Sequence, residues 1–249
     1  MKGFTKIMLI VASILGVIGL ASMLIAVVMG FSLSNIKHMI WDGKFSFNFN
    51  TIGEATSSEK QIEDSCDKMD IKFGAGQLEI YYGDVEEIQV KWKDIPNLKV
   101  EVHNGTLSVK EKDGINFNFD SNIDRKMEII IPRDTQFKKI ELEVGAGLAN
   151  ISELNVEKFD LEVGAGQANV SGLSVETFDI EVGAGQINVE LGGVENEYNY
   201  DVKCGVGNVL IGTTSYSGFG TTQDVKNNGA TKDIKVDCGV GEVKIQFEN

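Results

Sequence analysis

The chain repeats itself every 19 residues, and no other feature constrains its fold as strongly. Glu143-Val144-Gly145-Ala146-Gly147, Glu162-Val163-Gly164-Ala165-Gly166 and Glu181-Val182-Gly183-Ala184-Gly185 recur at that spacing. Lys72-Phe73-Gly74-Ala75-Gly76 carries the same signature earlier. Cys204-Gly205-Val206-Gly207 and Cys238-Gly239-Val240-Gly241 carry it later. A fixed period of about 20 residues marks an architecture in which each unit stacks on its neighbour.

Inside a unit the pattern is that of strands. In Phe159-Asp160-Leu161-Glu162-Val163 and Phe178-Asp179-Ile180-Glu181-Val182, apolar and acidic residues alternate strictly. Period two is the signature of a half-buried strand. Beyond Gly-Ala-Gly the parity shifts by one. Ala149 and Ile151, Ala168 and Val170, and Ile187 and Val189 become the inward pairs. The two glycines account for the shift if they adopt backbone angles closed to other residues and let the chain turn a corner. Leu154-Asn155-Val156 and Leu173-Ser174-Val175 form a third short segment. Successive units then place Phe159 over Phe178, Leu161 over Ile180 and Val163 over Val182, paired as parallel strands about 4.8 Å apart. The expected fold is all-β, a β-solenoid with irregular coils near residues 212 to 232. A phosphate-cradling reading of the glycines fails, because no helix signal follows them and the third glycine of the dinucleotide fingerprint is missing.

The leading segment has different chemistry. Ile7 to Phe31 is a run of 25 residues without a charge. As a helix it would extend roughly 37 Å, enough to cross a bilayer. Lys2 and Lys6 precede it, so the amino terminus is expected in the cytoplasm and the rest outside. The run is too long for the apolar region of a cleaved signal peptide. Residues 1–31 are therefore read as cytoplasmic amino terminus and transmembrane helix, 32–63 as a juxtamembrane spacer, and 64–249 as the solenoid.

Charge excludes some partners. The chain carries a net charge of −14, and leaving out the leading segment with its two lysines makes it −16. Binding to nucleic acid depends on neutralising phosphates, so no nucleic-acid partner is expected. The acidic residues fall in columns: Glu143, Glu162 and Glu181 in one, Glu141, Asp160 and Asp179 in another. Like charges across paired strands repel. Calcium could relieve this through oxygen ligands, but the aspartate-bearing calcium repeat is absent. Lys72, Lys203 and Lys235 are instead expected to relieve the glutamate column at its ends. Asn150, Asn169 and Asn188 also align and are expected to form a hydrogen-bonded ladder.

Reactive side chains are sparse. The chain has three cysteines, Cys66, Cys204 and Cys238. The last two occupy the slot of Val144, Val163 and Val182, where inward packing is the first expectation. A disulfide between them stays open if their coils are adjacent. No cysteine and histidine spacing suits zinc. His103 precedes Asn104-Gly105, a hairpin turn, and His38 stands outside the repeats. The abundant carboxylates fall at regular outward positions, and Arg125 and Arg133 are the only arginines. No catalytic, cofactor-binding or metal-binding residue is expected.

The ordered motifs resemble a known bacterial family, the putative-adhesin family of β-strand-repeat domains of unknown function. Ile71-Lys72-Phe73-Gly74-Ala75-Gly76, the hairpin ending Leu107-Ser108-Val109-Lys110-Glu111-Lys112, Ile129-Ile130-Ile131-Pro132, the Val-Gly-Ala-Gly repeats and Val236-Asp237-Cys238-Gly239-Val240-Gly241 carry the resemblance over residues 64 to 249. It implies a β-solenoid, often tethered by a membrane helix in Gram-positive bacteria, with relatives around envelope-stress systems. The expected function is adhesion, interaction or stress sensing at the cell membrane, with an envelope protein or glycan as partner. The expected contact surface comprises Glu143, Glu162, Glu181, Asn150, Asn169 and Asn188. A self-assembling scaffold, or a carbohydrate-active enzyme, is the alternative. For the scaffold, stacking would use exposed strand edges at the ends; the final segment Glu242 to Phe247 lacks a capping helix, while its charged Glu242 and Lys244 argue for a protected edge.

Overall fold

The computed structural model describes residues 57–111, 125–227 and 229–248. In chain order the strands are β1 (Ser57–Ile62), β2 (Lys68–Gly83), β3 (Ile88–Lys93), β4 (Leu98–His103), β5 (Thr106–Glu111), β6 (Lys126–Pro132), β7 (Phe137–Ser152), β8 (Asn155–Val163), β9 (Gln167–Val182), β10 (Gln186–Gly192), β11 (Tyr198–Ile211), β12 (Thr214–Val225) and β13 (Lys232–Glu248). One 3-10 turn, Glu195–Glu197, precedes β11. The described part is all-β and its strands join one ladder.

The 19-residue register is realised as parallel pairing. Phe159 pairs with Phe178, Leu161 with Ile180 and Val163 with Val182. The phenyl rings of Phe159 and Phe178 stack with centroids 5.2 Å apart and planes 4° from parallel. That spacing follows from the inter-strand distance, since equal residues at equal register must lie one strand apart. The parity shift is also present. In β7, Phe137, Ile140, Leu142 and Val144 are buried before the corner, and Ala149 and Ile151 after it. The third segment does not stand alone: Leu173 and Val175 lie in β9, which runs on through Phe178, Ile180 and Val182. Each coil thus contributes one strand before Gly-Ala-Gly and one after it, giving two sheet faces around a core in which, among the described residues, no charged or polar residue is buried.

The repeated glycines are needed for a reason other than backbone angle. In the corner signatures, only Gly76 has a positive φ, at 123°. The others, apart from Gly74, sit where stacked corners nearly touch. A Cβ on Gly147 would come 2.5 Å from the Gly76 carbonyl oxygen, and one on Gly166 would come 2.4 Å from that of Gly147. Gly185 against Gly166 and Gly207 against Gly241 are tighter still, at 2.3 and 2.1 Å. Backbone hydrogen bonds, such as Ala165 N–H to the Gly145 carbonyl at 2.7 Å, hold the corners at this separation. Left-handed residues do occur near the second corner: Glu153 (φ 55°), Gly172 (φ 63°) and Gly193 (φ 99°).

The order of coils in space departs from their order in the chain. After β10 the backbone skips one position and forms β11, then turns back antiparallel as β12. The last strand, β13, fills the vacant position, parallel to β9 and β10 on one side and to β11 on the other. The segment Glu242 to Phe247 is therefore interior and not an exposed end, because Val243 and Ile245 complete the core between Ile187, Val189 and Val209, Ile211.

Antiparallel strands finish both ends. At the amino-terminal end β3 runs against β6, β1 against β3, and β4 against β5. Ser57 to Ile62, expected within the spacer, form β1, whose only buried residue is Ile62. Beside the first Gly-Ala-Gly corner, β5 and β6 pair parallel with the two halves of β2. The Gly74 N–H donates to Glu111 Oε1 at 3.0 Å. Arg125 Nε donates to the Ala75 carbonyl at 2.9 Å, and its Nη2 meets Glu111 Oε2 at 2.7 Å. Among the described residues no helix is long and apolar enough to cross a membrane. The apolar run Ile7 to Phe31 lies outside the described residues, as does most of the expected spacer.

Candidate functional site

The strands before the corner present two acidic columns to solvent. One runs Lys72, Glu143, Glu162, Glu181, Asp237, Lys203. The other runs Asp70, Glu141, Asp160, Asp179, Lys235, Asp201. Together they line a shallow groove of about 450 Å³. Lys72 and Lys203 stand in the glutamate column as expected. Lys235 does not: Asp237, the residue before Cys238, stands there, and Lys235 stands in the neighbouring column. The glutamate column therefore continues into a fourth carboxylate before it reaches Lys203.

The two columns differ in how their charge is met. A third column, Lys68, Lys139 and Lys158, runs beside the aspartates. Sequence reasoning missed it, although Lys139 and Lys158 lie 19 residues apart like the other columns. Lys139 pairs with Glu141, and with Asp160 at 3.0 Å. Lys158 pairs with Asp179 at 2.8 Å. Asp160 Oδ1 has no hydrogen-bond partner among the described residues and leans on Lys158 Nζ by charge alone, at 3.2 Å. Hydrogen bonds to Glu141 and to Asp179 raise the pKa values of Lys139 and Lys158 respectively. In the glutamate column Lys72 pairs with Glu143, and that hydrogen bond raises the lysine pKa. No described lysine or arginine pairs with Glu162 or Glu181. Burial, then the charges of Glu143 and Glu181, push the Glu162 carboxyl above the ordinary glutamate range.

The asparagine column forms the expected ladder. Asn169 Nδ2 donates to Asn150 Oδ1 and Asn188 Nδ2 donates to Asn169 Oδ1, each at 3.0 Å. It lies on the strands after the corner, so the structure does not bring Asn150, Asn169 and Asn188 together with Glu143, Glu162 and Glu181. The asparagine amides are half-buried and largely consumed by one another. Glu143 and Glu162 are also half-buried and Glu181 is exposed, but Glu162 and Glu181 have no such partner among the described residues, and the candidate site reduces to the acidic groove.

A family model described as Toastrack DUF4097 matches residues 66–249. The chain belongs to the Toastrack DUF4097 family. The Toastrack fold is also seen in a solved structure of a "putative cell adhesion protein" from Clostridium sporogenes, 20% identical, with a TM-score of 0.57 over 78% of this chain and 100% of that one. A "putative adhesin" from Bacteroides fragilis is 14% identical, with a TM-score of 0.38 over 77% of this chain and 97% of that one. No curated protein matches.

Within this Toastrack domain the cysteines are buried free thiols. Cys204 and Cys238 are direct register partners on adjacent strands, so the adjacency required for a disulfide is met. Burial, then the neighbouring Cys204, pushes the Cys238 thiol up to about 12. A thiol so far above the ordinary range is a poor nucleophile at neutral pH. Among the described residues no three acidic, histidine or cysteine side chains converge where a metal ion could sit.

Proposed function

We propose that the chain is an adhesion or interaction module of the cell envelope, tethered to the membrane, which binds a cationic partner on its acidic groove. The observation that carries this reading is the run Glu143, Glu162, Glu181, Asp237, in which Glu162 and Glu181 have no cationic partner among the described residues. Unneutralised carboxylates in a concave strip attract and orient a positively charged segment, and speed its encounter. The neighbouring aspartate column, already occupied by lysines, would contribute less. The adhesion-protein name of a solved structure with the same fold agrees with this reading. The partner class is a basic segment of an envelope protein or a glycan bearing free amines.

Tethering rests on the uncharged run Ile7 to Phe31 behind Lys2 and Lys6, with the strand-rich domain outside the cytoplasm. The test uses the full chain in mild detergent as bait for envelope extracts, beside a variant carrying Glu143→Gln, Glu162→Gln and Glu181→Gln. Retention of a basic protein or amine-bearing glycan by the native chain, lost in the variant and at high salt, supports the reading. Equal retention by both chains would reject the groove as the contact face.

A further inference from the structure

The end strands offer very different edges. At the amino-terminal end the outermost strands are short and charged. β1 carries Glu59 and Lys60, and β4 carries Lys99 and Glu101, which pair with each other. Charged residues on a short edge oppose pairing with another chain. At the carboxyl-terminal end β12 is twelve residues long and pairs with β11 alone among the described strands. From Thr214 to Gln223 it contains no charge and no proline. In a chain of net charge −14, this is a strand edge that a second acidic copy can approach without like charges opposing it.

Apolar surface lies beside the same strand. Val206 and Val240 occupy the slot that holds alanine in the earlier coils, and each is 48% exposed. Val206 is the direct register partner of Phe219 in β12. Val206 stands one strand in from that open edge and Val240 two, so no charged side chain occupies either corner slot behind it.

We propose that β12 of one copy pairs antiparallel with β12 of a second copy about a twofold axis. Antiparallel pairing of identical edges is self-complementary, since residue i meets j and j meets i. An axis between Gly218 and Phe219 sets Thr214 opposite Gln223 and Ser215 opposite Thr222, and leaves Asp224 of both copies outside the uncharged run. The charged amino-terminal end does not match this edge, so assembly closes at two copies. The expected scaffold polymer is replaced by a closed pair. This inference is independent of the acidic groove, which lies on a sheet face and not on this edge.

The test is sedimentation of the full chain in density-matched detergent as protein concentration is raised. The native chain is expected to approach twice its own mass and stop there. Ser215→Lys with Thr222→Lys places lysine opposite lysine twice, and should weaken dimerisation by roughly tenfold or more. A second chain with Ser215→Glu and Thr222→Glu should be equally monomeric alone. Mixing the two variants should restore a mixed dimer, which a misfolded variant could not do. Lys99→Ser with Glu101→Ser at the opposite end should leave the dimer intact. A native chain that stays monomeric, a mass that grows without limit, or a dimer indifferent to both charge variants would overturn the proposal. So would loss of the dimer on substituting Lys99 and Glu101.

Discussion

At the amino-terminal end of the stack, side chains finish the first Gly-Ala-Gly corner: the Glu111 carboxylate takes the Gly74 N–H, and the Arg125 guanidinium takes the Ala75 carbonyl. At the carboxyl-terminal end, backbone finishes the last corner, because β12 runs the length of β11 and spans Gly205 and Gly207. A repeat cannot supply its own ends. Each interior corner satisfies its polar backbone with the corner before it, so the terminal corners need groups from outside the pattern. The first end uses a nearly buried ion pair between the end of β5 and the start of β6. The last end adds another strand and passes the open edge outward.

The largest effect expected from breaking this contrast is at the ion pair. The side chains of Arg125 and Glu111 are 10% and 14% exposed. Arg125→Met leaves a nearly buried carboxylate without its counter-charge, a class of change that costs about 3–5 kcal/mol. Chemical denaturation should show that loss. Adding Glu111→Gln, which keeps an acceptor for the Gly74 N–H, should recover most of it. A single variant that unfolds like the native chain would mean that the pair does not hold the first corner.

The corner glycines sharpen the contrast between the end and the interior. A Cβ on Gly166 meets the Gly147 oxygen at 2.4 Å and nitrogen at 2.8 Å, both backbone atoms that cannot move without separating the coils. Gly166→Ala should cost about 2–3 kcal/mol, the upper part of the 1–3 kcal/mol typical of overpacking. On Gly74 the nearest atoms belong to the Glu111 carboxylate, the first at 3.2 Å. That side chain can shift, so Gly74→Ala should cost less than about 1 kcal/mol. Equal losses at the two positions, measured by denaturation midpoint, would show that stacking distance is not what selects glycine.

How much of this was legible in the sequence can be argued from single residues. The period and the parity shift placed Phe159 on Phe178 and Asn150 on Asn169 without any coordinates. Each is a local pattern repeated, and stacking of equal units leaves little choice of register. The position of β13 was not legible. Cys204 and Cys238 head near-identical motifs, and a repeat records which residues share a register but not which coil lies beside which. Lys235 was misplaced by a slip of register and not by this ambiguity, since Asp237 precedes Cys238 as Glu181 precedes Val182. The ion pair was hidden for another reason: Glu111 and Arg125 are 14 residues apart, outside the repeat, and only the fold brings them to one corner. The role of the glycines was misassigned, because sequence shows a missing side chain but not whether φ or a neighbour demands it.

The glutamate column gives a smaller, pH-dependent test. Its Lys72 end is neutralised, while toward the other end Asp237 follows Glu181. Glu162, between two glutamates, has its carboxyl pushed up by burial first and by those charges second. The folded chain therefore holds this proton more tightly than the unfolded chain. Stability from the group is fully present below the ordinary glutamate range and is lost as pH rises through the raised value. Glu162→Gln should raise Tm modestly at neutral pH, and the gain should vanish in acid. Glu143→Gln, which gives up the Lys72 pair, should not raise Tm. A gain for Glu162→Gln that is the same at both pH values would refute the charge argument.

The smallest effect is expected at the second corner, where the coils differ in residue but not in conformation. Glu153 and Gly172, 19 residues apart, take the same place in two successive coils, with φ of 55° and 63°. Glutamate in the left-handed region carries roughly 1–2 kcal/mol of steric strain that glycine avoids. Glycine also loses more chain entropy on folding, which offsets about 0.4–1 kcal/mol of that gain. Glu153→Gly should therefore stabilise by about 0.5 kcal/mol. Glu153→Gln removes the charge and keeps the strain, so it should leave stability unchanged. Gly172→Gln imposes the strain that Glu153 bears and should destabilise by a similar small amount. If Glu153→Gln stabilises as much as Glu153→Gly, repulsion on the acidic surface, and not backbone geometry, is what the corner relieves.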